Sequence, residues 1–91
     1  MNLKVKILDL KDNPFLNTED KEVTAQDLCL MALNWENRES KMSPTEKVAR
    51  YKIIKEIKAG TAKRSDLLVK AVEEYPFSPI VLGQIMECIE K

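Results

Sequence analysis

A Ser or Thr stands just ahead of an apolar-periodic run at four places in this chain, Thr24, Ser43, Ser65 and Ser78, and starts at that spacing leave room for little except short helices. The fullest start is Ser43-Pro44-Thr45-Glu46. Ser43 can accept a first-turn amide, and Pro44 suits the first helical position because its missing N–H would be unpaired there anyway. Glu46 can reach back to the Ser43 amide. Thr24, with Asp27 three residues on, writes a weaker version of the same box.

Behind Thr24, the residues Ala25, Leu28, Cys29, Ala32 and Leu33 recur at helical spacing, and the run ends near Trp35. Leu30 and Met31 fall outside that stripe, so this helix is apolar around more than half its circumference and is expected to be the hub of the core. A polar linker at 37–41 follows. The next helix places Val48, Ala49, Ile53, Ile54 and Ile57 inward and Lys47, Arg50, Lys52, Lys55 and Lys58 outward, and Gly60 stops it in a left-handed conformation. A third helix uses Leu68, Ala71, Val72 and Tyr75 until Pro76 forbids continuation, and a last one runs through Leu82, Ile85, Met86 and Ile89.

The first segment is of another kind. Leu3-Lys4-Val5-Lys6-Ile7 alternates apolar and polar residues with period two, Asp12-Asn13-Pro14 reverses the chain, and Phe15-Leu16 forms a short return strand. Two strands alone are marginal in water, so the pair must lie against the helices or pair with another chain. No internal repeat stands out. The expected fold is mainly α with a small N-terminal β-hairpin (α+β): one domain over 1–91, in which a hairpin unit at 1–23 packs on a bundle of about four short helices at 24–91.

Composition narrows the function by exclusion. The chain has no histidine, which removes the commonest general base and metal ligand together with every Ser-His or Cys-His nucleophile. Gly60 and Gly83 are the only glycines, so neither a phosphate-cradling loop nor a dinucleotide fingerprint can be written. Asp9, Asp12 and Asp20 lack the glycine and closing glutamate of a calcium loop and read as turn residues. Cys29 sits in an apolar stripe and Cys88 beside two glutamates, settings that favour an inert thiol. The expectation is therefore no enzyme, no cofactor and no metal.

Fifteen basic and fifteen acidic residues cancel, so no global field draws the chain to phosphate or anionic lipid. Two distant cysteines, no apolar leader at the N-terminus and no membrane-length run fit a cytoplasmic setting without a membrane partner. One asymmetry stands out: from Lys47 to Arg64 there are seven basic groups against a single acid, Glu56. Two candidate partner-binding surfaces follow. One is the basic ridge, with Lys47, Arg50, Lys55 and Lys58. The other is the apolar surplus, with Met31, Trp35 and Phe77, because Met and Trp are favoured at interfaces.

The opening Lys4-Val5-Lys6-Ile7-Leu8-Asp9-Leu10, then Asp12-Asn13-Pro14, and the closing Tyr75-Pro76-Phe77-Ser78-Pro79-Ile80-Val81-Leu82-Gly83-Gln84-Ile85 with Glu90 resemble small proteins encoded by tailed bacteriophages and prophages. The resemblance implies a hairpin, a helical middle and a short final helix, in the cytoplasm of an infected or lysogenic bacterium, and it carries no activity or site residue. The reading is a non-enzymatic protein-interaction module, a phage-encoded modulator or inhibitor of a host or phage protein. Its alternatives are a nucleic-acid-associated regulator using the basic helix 47–64, and a structural or assembly protein forming a homo-oligomer such as a homodimer.

Overall fold

The computed structural model of the chain describes residues 1–36 and 41–90, so most of the expected linker at 37–41 lies outside the described residues. Three of the four helices begin where a side chain takes up an orphan amide of the first turn. In α1 (Ala25–Asn34) the Thr24 hydroxyl accepts the Asp27 amide at 3.3 Å, and the Asp27 carboxylate accepts the Thr24 amide at 3.1 Å. This box is complete. In α2 (Pro44–Ala59) only half of the expected box forms: Ser43 Oγ accepts the Glu46 amide at 3.2 Å, while the Glu46 carboxylate pairs with Lys70 and Arg50 instead of turning back. A carboxylate with two cations in reach gains more from them than from one exposed amide.

Gly60, at φ 77°, ends α2, and Thr61 donates its amide to the Glu56 carbonyl at 3.0 Å in a Schellman-type closure. In α3 (Asp66–Glu74) Ser65 Oγ accepts the Leu68 amide at 3.2 Å. The last helix, α4 (Pro79–Glu90), opens on a proline, and the Ser78 carbonyl accepts the Leu82 amide at 2.9 Å.

Helix α1 packs against α2, α3 and α4 and is the hub. Its buried residues are mostly small, Ala25, Cys29 and Ala32 with Leu33, which lets three neighbours approach one short helix. Bulk comes from those neighbours: Leu68 and Val72 of α3, Ile85 and Ile89 of α4, and Ile57 of α2. Leu28 is half-buried against this core, and Met31 is 43% exposed. Helix α2 departs from the expected stripe. Val48, expected inside, is 55% exposed, and Arg50, expected outside, is buried. Side chains at 50, 53, 54 and 57 share one helical face, and that face turns inward with the arginine on it.

The expected hairpin at 1–23 is not found as a sheet. Three isolated antiparallel bridges take its place, Lys6 with Thr24, Leu8 with Pro14, and Leu16 with Glu22. Between them runs a closed ring of backbone hydrogen bonds. Ile7 donates to the Val23 carbonyl at 2.9 Å, Val23 to that of Phe15 at 2.8 Å, and Phe15 to that of Ile7 at 3.0 Å. Each central residue thus gives one bond and takes one, and no strand need extend beyond three residues.

Two copies of one turn join the segments, an internal repeat missed in the sequence. Asp9 Oδ1 accepts the amides of Lys11 and Asn13 at 2.8 and 3.0 Å, and Asn17 Oδ1 accepts those of Glu19 and Lys21 at 2.8 and 3.1 Å. Asp12 and Asp20 hold left-handed backbone, at φ 62° and 59°, in the same place in each copy. Asp tolerates that conformation better than most residues.

The N-terminal segment also serves the helices. The Val5 and Leu3 carbonyls accept the Ala25 and Gln26 amides at 2.9 and 2.7 Å, and the Asn2 amide donates to the Cys88 carbonyl at 3.0 Å. First-turn donors of α1 and a last-turn acceptor of α4 are thereby satisfied without water. Gln84 completes the join, its side-chain amide both donating to the Leu8 carbonyl and accepting from the Leu8 amide, each at 2.8 Å.

Candidate protein-interaction surface

Helix α2 has a buried face and an open one. On the buried face Arg50 is 2% exposed; its NH2 group meets Glu46 at 3.1 Å and Glu74 at 3.2 Å, and its NH1 donates to the Ala32 carbonyl at 3.5 Å. Lys70 closes the other side, at 2.8 Å from Glu46 and 4.0 Å from Glu74. The hydrogen bond from Lys70 is the main reason that the Glu46 carboxyl lies below its ordinary range, and the same bond raises Lys70. Arg50, proposed from sequence as a partner-binding residue, is therefore a structural tie between α2 and α3.

The basic ridge is smaller than its sequence. Lys47 pairs with Glu36 at 3.7 Å, and Arg64 with Glu90 at 3.0 Å and Asp66 at 3.5 Å, which raises the Arg64 guanidinium further. Lys52, Lys55, Lys58 and Lys63 make no ion pair among the described residues. Of the expected ridge residues, Lys55 and Lys58 are thus open, Lys47 is partly compensated and Arg50 is inside.

Two residues outside the expected binding set join the open lysines. Val48 and Tyr51, the latter 59% exposed, stand on the outer face, and Lys55 Nζ lies 5.5 Å from the centroid of the Tyr51 ring. The spacing 48, 51, 55 is one helical stripe. It is legible in the sequence once 50, 53, 54 and 57 are taken as the inward stripe, because the two lie on opposite sides of α2.

The apolar surplus is used differently. Trp35 and Tyr75 meet edge to face with ring centroids 5.4 Å apart, and Tyr75 stacks at a tilt on Phe77 at 4.4 Å. Tyr75 thus links Trp35 and Phe77 in a half-buried seam between the end of α1 and the α3–α4 connection. Met31 stays on the surface.

Burial, and then the nearness of Cys88, pushes the Cys29 thiol up to about 12, so it carries no thiolate at neutral pH. Among the described residues no three His, Cys, Asp or Glu side chains are grouped to hold a metal ion, and no helix is long and apolar enough to cross a membrane. Comparison with protein-family models, curated proteins and solved structures finds no match to this chain.

Proposed function

We propose that the chain is a non-enzymatic protein-interaction module that docks on an acidic partner through the outer face of α2. The observation that carries this reading is the grouping of exposed Val48 and Tyr51 with Lys52, Lys55 and Lys58, whose charges no carboxylate among the described residues offsets. Tyr supplies interface area at low entropic cost, and uncompensated lysines around it steer an acidic surface into place. A protein suits this face better than a nucleic acid, because the net charge is zero and Arg50 and Arg64 are already paired within the chain. The resemblance to small tailed-phage proteins supports a host or phage component as the partner, which the chain would modulate or block by occupying its surface.

The test is a comparative capture from bacterial lysate, with the parent chain, Lys55→Glu/Lys58→Glu, and Tyr51→Ala as baits. Exposed substitutions of this kind change stability by only about 0.5 kcal/mol each, so all three baits stay folded. A specific protein partner should be retained by the parent and lost or strongly reduced with both variants, the charge reversal having its greatest effect at low salt. Equal recovery by all three baits would remove α2 from the binding surface, and recovery abolished by nuclease would transfer the reading to nucleic acid.

A further inference from the structure

The outer face of α2 changes character halfway along. Val48 and Tyr51 stand exposed on its first half, and Lys52, Lys55 and Lys58, without an ion pair among the described residues, on its second. Residues 48, 51, 55 and 58 follow at intervals of three, four and three, so their side chains form one stripe along the helix. Beside the apolar half runs an open groove of about 460 Å³ lined by Pro44, Thr45, Val48, Ala49 and Lys52. Of the acids in α2, Glu46 is held by Lys70 and Arg50, and Glu56 lies roughly a third of a turn off the stripe.

An occupant of this face has to match both halves. The spacing of the stripe is that by which one helix meets another, whereas an extended segment repeats every second residue and would align with it at few points. The order of the halves sets the direction. Carboxylates are favoured in the first turns of a helix, where they meet unsatisfied amides and the positive end of the macrodipole. A helix with its acids there and apolar side chains further on matches α2 only with its N-terminus beside Lys55 and Lys58, which makes the two helices antiparallel. A second copy of the chain does not supply such a helix: α1 and α3 each have one acid in the first turn, α4 has none, and Glu46 of α2 is already engaged. Symmetric pairing of α2 with itself would set lysines against apolar side chains with no carboxylate to meet them. We propose that this face takes an amphipathic helix of another protein, with carboxylates in its first two turns and apolar side chains on the same face of the next two, packed antiparallel along α2. The assignment rests on the docking face described above and adds the form and direction of what docks there.

The experiment is an NMR titration of the intact chain with peptides of about 18 residues, slightly longer than α2. One set carries glutamates in its first two turns and Leu, Ile or Phe on the same face of the next two; a second has the two halves exchanged, and a third is oligoglutamate of equal charge. Peptides of the first set should shift the α2 amides saturably, gain helicity by circular dichroism, and bind about tenfold or more tighter than the second and third. A nitroxide on the peptide N-terminus should broaden the Lys58 amide more than that of Thr45. Lys55→Glu/Lys58→Glu and Tyr51→Ala, with the amide spectra of α1, α3 and α4 unchanged, should each weaken binding by about tenfold. Oligoglutamate bound as tightly as the first set would overturn the helix, and broadening centred on Thr45 would overturn the direction. If no peptide binds while lysate capture is lost in Lys55→Glu/Lys58→Glu, the helix assignment falls and the docking face stands; if that capture is unaffected as well, both fall.

Discussion

The N-terminal ring and the helical bundle are held together by different means. In the ring, segments 6–8, 14–16 and 22–24 are joined by backbone hydrogen bonds and by two carboxylate or amide oxygens that each accept two amides, while Leu10, Leu16 and Val5 remain exposed. In the bundle the order is reversed: Leu68, Val72, Ile85 and Ile89 are buried around the small side chains of α1. Side-chain volume therefore decides stability in one region, and local polar geometry decides it in the other. Ile7 and Leu3 are the buried residues by which the first region anchors in the second.

The largest effect that would break this contrast is at Leu68. Leu68→Ala should cost about 2–5 kcal/mol through lost burial and a residual cavity, whereas Leu16→Ala, at 56% exposure, should stay within about 0.5 kcal/mol. Chemical denaturation measures both, and similar costs would mean that the ring has a core of its own. The next effect is on the turns. Asp9→Ala and Asn17→Ala each remove an oxygen that serves two amides, at a net cost of roughly 0.5–1.5 kcal/mol, with most of the lost protection from amide exchange confined to 9–13 or to 17–21. Unequal costs would show that the two copies of the turn share a shape without sharing a role.

The smallest effect is one of pH. The Glu46 carboxyl is lowered from its ordinary 4.5, first by the Lys70 hydrogen bond, so the stability that it contributes is present above that value and lost as pH falls below it. Solvent screening keeps the effect small. Amide exchange should rise in α2 and α3 on acidification below about 4.5 and rise less in Glu46→Gln, which has no such carboxylate to protonate. Acid sensitivity undiminished in that variant would place the acid-labile contact elsewhere.

Start and stop residues make much of the bundle legible. Thr24, Ser43 and Ser65 cap the helices expected of them, and Gly60 and Pro76 end theirs, because a cap depends on residues three or four positions away. The inward stripe of α2 was harder to read. Hydrophobicity assigns Val48 inward and Arg50 outward, and only Glu46, Glu74 and Lys70, two of them from another helix, make the opposite arrangement stable. For the same reason the candidate surface was legible only in part: Lys55 and Lys58 are open as expected, whereas Val48, assigned to the inward stripe, stands outside with them. Trp35 and Phe77 read as surplus until Tyr75 lies between them.

By itself, then, the sequence determined a mainly helical chain, the places where its helices begin and end, and the absence of histidine chemistry. Each of these follows from residue identity or from contacts within one turn. Tertiary structure alone decided that an arginine goes inside, that three short segments close a ring instead of a hairpin, and which lysines keep an uncompensated charge. Those outcomes depend on partners such as Glu74, Gln84 and Val23, brought together by folding, and the free energy of a buried charge or a backbone amide is set by the group that meets it.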